Sequence, residues 1–219
     1  MAPGVCFIEV IKGKQVKDYS HKPLLVSEPT ATDPSAQREF RPTEDYLFVR
    51  ADTLDDFRVL FYRNADEKNS GSLSWILKVK HMALEASDAS DHRSYALSLD
   101  LPYLPNLATL SFVFPASSGT IDAYSRVELS AEQQARPALR KLSDEELTTL
   151  TLKADYTYDT WFDSHRIQWE ASAAQYMETS FSSMERELAG SDHEPVPACW
   201  DAEGGKLKLS FEGLCFVGS

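Results

Sequence analysis

The chain offers few residue sets with obvious chemistry. His193, Glu194 and Cys199 fall within seven positions of one another. A thiol beside an imidazole and a carboxylate is the composition of a nucleophile set. Here Pro195 and Pro197 hold the segment extended, and no surrounding motif supports a triad. Asp155, Asp159 and Asp163 recur every four residues, so on a helix they would form one acidic ridge. Hard cations take such oxygens, but acids near a helix start also complement its dipole without any ion. His81 follows Lys80 at the end of an apolar run and is a candidate pocket residue, with Asp100 or Tyr103 as polar companions. A single histidine is more often structural than catalytic.

Aromatic residues are the larger supply. Trp75, Tyr103, Trp161, Trp169 and Tyr176 can line a ligand cavity or simply fill a core. Trp75, His81 and Tyr103 are the candidate ligand-binding residues. Trp200 sits in the Pro, Gly and acid-rich stretch ACWDAEGG, where a tryptophan can anchor a partner. Asp163, Glu170 and Trp200 are the candidate partner-binding residues. The familiar cofactor and catalytic signatures are absent: no Gly-x-Gly-x-x-Gly, P-loop, Gly-x-Ser-x-Gly, His-Glu-x-x-His, Cys-x-x-Cys or EF-hand loop. No cofactor and no metal are therefore expected.

The elements that must position these residues read mostly as strands. Val5–Ile11, Tyr46–Ala51 and Phe57–Arg63 are rich in β-branched and aromatic residues, and the last two look like a hairpin. Leu73–Leu84, Tyr95–Leu101, Ile121–Leu129 and Leu147–Tyr158 alternate in whole or in part, and Leu107–Phe114 is a near-continuous apolar run. Residues 13–45 carry four prolines and read as a long irregular excursion. Over 160–189 the period changes. Phe162, Trp169, Ala173, Tyr176, Met177, Phe181, Met184 and Leu188 predict a long amphipathic helix, capped by Asp159 or Thr160 and ended by Gly190. Residues 190–205 read as a loop, and Lys206–Val217 as a last strand.

The sequence thus predicts a single mainly β (α+β) domain over 1–219. Its architecture would be an antiparallel β-barrel or sandwich of about eight or nine strands, with one long C-terminal helix and a final strand. Barrel, helix and final strand is also the order of lipocalin-like folds, but the Gly-x-Trp of those proteins is missing near the first strand.

Charge bounds the partners. The 219 residues hold 34 Asp+Glu against 22 Lys+Arg, a net −12. This balance argues against nucleic acid and anionic membrane as partners. The excess is uneven: residues 151–219 hold twelve acids and five bases, a net −7. Three cysteines without regular spacing are no disulfide framework. The opening residues lack a secretory pattern and no apolar stretch approaches 18 residues, so an intracellular, cytoplasmic location is the expectation.

These readings favour a non-catalytic interaction or assembly protein. Its acidic C-terminal helix would meet a protein partner with a basic surface. The alternatives are a calycin-like barrel for a small apolar ligand, and a small barrel isomerase or cyclase.

Overall fold

The computed structural model describes residues 5–7, 41–50, 76–86, 100–131, 133, 138–159, 164–190 and 196–218. The expected strand Phe57–Arg63, most of the 13–45 excursion, most of Tyr95–Leu101, and the candidates Trp75 and Asp163 lie outside them.

The described chain is mostly strands with few helices. The strands are β1 (Val5–Phe7), β2 (Tyr46–Val49), β3 (His81–Glu85), β4 (Thr109–Phe114), β5 (Thr120–Asp122), β6 (Leu139–Lys141), β7 (Thr151–Asp159), β8 (Ser164–Ser172), β9 (Trp200–Asp201), β10 (Lys206–Leu207) and β11 (Ser210–Phe216). The helices are α1 (Asp144–Thr149) and α2 (Ala173–Gly190), and 3-10 turns lie at Ile76–Lys78 and Leu101–Tyr103.

The main sheet has the order β1-β2-β3-β4-β11-β6 and is curled as a half-barrel. Its core is parallel, which corrects the antiparallel strand direction expected of the barrel or sandwich. β1 to β4 and β11 all run the same way, and only β6 is antiparallel, to β11. The described neighbours of β2 are β1 and β3, reached by long connections rather than by a hairpin. The physical reason is written in β4. All six residues of TLSFVF are buried. A strand covered on both faces needs no polar alternation, and that is the habit of parallel sheets.

Register assigns the two faces. Leu47, Val49, Met82, Leu84, Leu110, Phe112 and Phe114 share one face with Cys215. Helix α2 lies over it, burying Tyr176, Met177, Met184 and Leu188. Tyr176 meets Phe112 edge-on with ring centroids 5.4 Å apart, and Phe181 meets Phe211 at 4.4 Å. On the other face Phe48, Ala83, Val113, Leu214 and Phe216 pack with Val127 from the 123–130 segment. The buried carboxylate of Glu85 accepts the Val127 backbone N–H, which ties that segment down.

A second sheet has the order β5-β7-β8. β7 and β8 form a nine-pair antiparallel ribbon, from Thr151 opposite Ser172 to Asp159 opposite Ser164. Among the described residues β5 pairs with the base of β7, Thr151 to Lys153.

The ribbon corrects the expected helix. Residues 164–172 are strand, and α2 covers only Ala173–Gly190. Strand pairing wins because 164–172 alternates: Arg166, Gln168 and Glu170 are exposed, while Trp169 and Ala171 are half-buried. Ile167 and Trp169 are strand formers. The helix starts where Ser172 and Gln175 cap each other, Ser172 Oγ accepting from Gln175 N at 3.2 Å and Gln175 Oε1 from Ser172 N at 3.0 Å. Nor is α2 terminal. β9, β10 and β11 follow it, and β11 slots between β4 and β6 inside the sheet. The 190–205 loop contains β9, which pairs with β10 across a turn where Gly205 has φ 62°.

Candidate functional site

Parallel register gathers polar residues that are far apart in sequence. Tyr46, His81 and Thr109 begin β2, β3 and β4 and stand side by side across the sheet, with Ser210 of β11 next to Thr109. Two residues further on, Ser111 and Glu212 are neighbours on the same face. This is the face opposite α2.

The row is internally connected. The Tyr46 hydroxyl donates to Glu212 Oε2 at 2.9 Å, across 166 residues of sequence. Lys141 Nζ reaches the other oxygen, Oε1, at 3.2 Å. The rings of Tyr46 and His81 lie 5.5 Å apart and tilted, and His81 Nδ1 is 3.1 Å from Thr109 Oγ1. Partial burial, then the hydrogen bond and the negative charge of Glu212, push the Tyr46 phenol up to about 12. At neutral pH Tyr46 is therefore a hydrogen-bond donor and not a base. The Thr109–His81 contact pairs a hydroxyl with an imidazole, the first two parts of a nucleophile set. Thr109 is buried, Tyr46 and His81 are half-buried, and Lys141 is exposed.

The second candidate surface is the acidic exterior. Glu178 is exposed on α2, and so are Glu170 on β8 and Glu203 in the β9–β10 turn. Glu185 is turned inward: its Oε1 accepts the Leu207 backbone N–H at 3.0 Å and fastens α2 to β10.

The sequence-derived candidates separate. His81 belongs to the polar row, whereas Tyr103 packs on the hydrophobic cluster under α2, beneath the other face. Trp200 is half-buried against the same cluster, with Leu207 as its strand partner. Glu170 stands exposed opposite Lys153. Asp155 lies on β7, so the acidic ridge does not form on a helix. Arg166 and Gln168 hold its carboxyl down at about 2 by hydrogen bonding. Cys199 is buried in the cluster, and burial pushes its thiol up to about 11. A thiol so held is protonated and inert at neutral pH. Among the described residues no three His, Cys, Asp or Glu side chains converge as a metal-binding set, and no helix is long and apolar enough to cross a membrane.

Sequence reasoning missed Tyr46, Thr109, Lys141 and Glu212. Tyr46 and Thr109 open their strands, Lys141 ends its strand and Glu212 lies within β11, and only strand order brings the four together. No family model, no curated protein and no solved structure matches this chain.

Proposed function

We propose that this protein is a non-catalytic interaction or assembly protein whose acidic C-terminal third, α2 foremost, meets a protein partner with a basic surface. The observation that carries the reading is the two-sidedness of α2. Tyr176, Met177, Met184 and Leu188 fix its inner side on the sheet, while Glu178 faces solvent. Glu203 is exposed in the β9–β10 turn, and residues 151–219 as a whole carry −7. Exposed carboxylates over a packed core support electrostatic steering of a partner of opposite sign. Both faces of the main sheet carry hydrophobic clusters, which supports a scaffold role. The test is capture of the partner from the native source by the full chain, compared with a Glu178→Lys/Glu203→Lys variant at low and high salt.

One observation favours a second reading, a small-ligand site with or without isomerase or cyclase activity: the row of Tyr46, His81, Thr109 and Glu212 on the face away from α2. Its test is binding of an apolar fluorescent probe. Binding that is lost in both Tyr46→Phe and His81→Ala supports this reading, and absence of binding removes it.

A further inference from the structure

Strand β8 is the edge of its sheet among the described residues: β7 pairs with one side of it and no described strand with the other. An unpaired edge of nine residues is a template for another strand. The sequence of β8, S-H-R-I-Q-W-E-A-S, is self-complementary about its central residue, Gln168. We propose that β8 pairs antiparallel with β8 of a second copy of this chain, on a two-fold axis through Gln168.

Antiparallel pairing about Gln168 sets position 166 opposite 170, 167 opposite 169, 165 opposite 171 and 164 opposite 172, each twice by symmetry. An isologous interface requires such reciprocity. Arg166 then faces the second copy's Glu170, and Glu170 faces its Arg166. Both residues are exposed. Arg166 uses Nε and Nη2 on Asp155, at 2.9 and 2.8 Å. That leaves Nη1 without an intrachain partner among the described residues. Backbone hydrogen bonds supply the affinity of such an interface, while the exposed ion pairs set the register.

Charge does not oppose the contact. The C-terminal third is strongly acidic, yet among the ribbon residues whose side chains are described the exposed face carries Lys153 and Arg166 against Asp155 and Glu170, two bases and two acids. Around Gln168 these charges balance within an acidic region, so two copies can approach there with little net repulsion. This proposal is independent of the acidic-face reading, since Glu178 and Glu203 take no part in the pairing.

The experiment is sedimentation of the full chain over a concentration series, with Arg166→Glu and Glu170→Arg each alone and then mixed. Circular dichroism verifies the fold of each. The wild type should reach twice the 24.6 kDa of one chain. Each single variant sets like charges opposite each other at both contacts, and should dissociate at concentrations at least about tenfold higher. An equimolar mixture restores both pairs in a heterodimer and should recover the dimer mass. A Gln168→Cys variant gives a readout that needs no charge change: directly opposed residues are close enough for a disulfide. It should form a covalent dimer under mild oxidation, and Thr157→Cys on β7 should not. A wild type that stays at one chain's mass, a dimer indifferent to the charge changes, a Thr157→Cys dimer that forms as readily, or a different protein found on the β8 edge overturns the proposal.

Discussion

Arg166 grips Asp155 across the β7–β8 ribbon through two parallel hydrogen bonds, Nε to Oδ1 at 2.9 Å and Nη2 to Oδ2 at 2.8 Å. Gln168 Nε2 adds a third, to Oδ2, at 2.9 Å. The pair is diagonal, because Asp155 stands opposite Gln168 and Arg166 opposite Thr157. Three donors on one carboxylate explain why Asp155 is held at about 2. Arg166→Gln should raise the Asp155 pKa part of the way back toward the ordinary aspartate range, by about one unit, because Gln168 still donates to it; NMR titration reads this. The lowered value means the contribution of this contact to stability is complete above the ordinary aspartate range, near 4, and is lost as pH falls through about 2. Urea unfolding at pH 2 to 5 should show this as a steeper acid slope for the wild type than for Asp155→Asn.

Tyr46 has the opposite sign. Its phenol is held up to about 12, so the folded state keeps a proton that the unfolded chain gives up near 10. The associated stability is complete below pH 10 and is lost as pH rises through 12. Alkaline difference absorbance should show a tyrosine fraction that titrates late, and Tyr46→Phe should reduce that fraction by one residue.

Gly213 on β11 is where both helices reach the sheet. A methyl group built there runs into Leu147 Cδ2 of α1, and it lies 3.2 Å from Met177 Sδ of α2. Gly213→Ala should destabilise the protein by about 1–3 kcal/mol, as overpacking does. Chemical denaturation measures it.

Ser143 caps α1. Its Oγ accepts the Glu146 N–H at 3.2 Å, while Glu146 Oε2 accepts the Ser143 N–H at 2.8 Å. Arg140 takes both oxygens of the same carboxylate, at 2.7 and 3.0 Å. Ser143→Ala should cost about 1 kcal/mol in denaturant unfolding.

These contacts also show what the sequence carries. The apolar run of β4 and the spacing of Tyr176, Met177, Met184 and Leu188 are local signals, and both elements form there. Strand direction is not local. Alternation tells which face Tyr46 or Met82 occupies, but not whether its neighbour runs parallel. The start of α2 was legible in the Ser172–Gln175 capping box, but apolar spacing carried across from Phe162 and Trp169 masked it. The polar row was legible only at His81. Tyr46 and Glu212 become neighbours solely because β11 returns beside β4, and no residue spacing records that.

Whether the acidic C-terminal third holds a basic partner shows in how binding responds to salt and to charge reversal. The most direct measurement is affinity capture from the native source by the wild-type chain and by Glu178→Lys/Glu203→Lys, each at low and high salt, followed by a binding isotherm with the purified partner. The expected result is a basic protein bound at low salt and released as salt rises. Its affinity for the charge-reversed chain should be more than about tenfold weaker, because like charges facing each other cost several kcal/mol. A chain that captures nothing, or a partner held equally well by both versions at every salt concentration, would contradict a basic partner on this acidic surface.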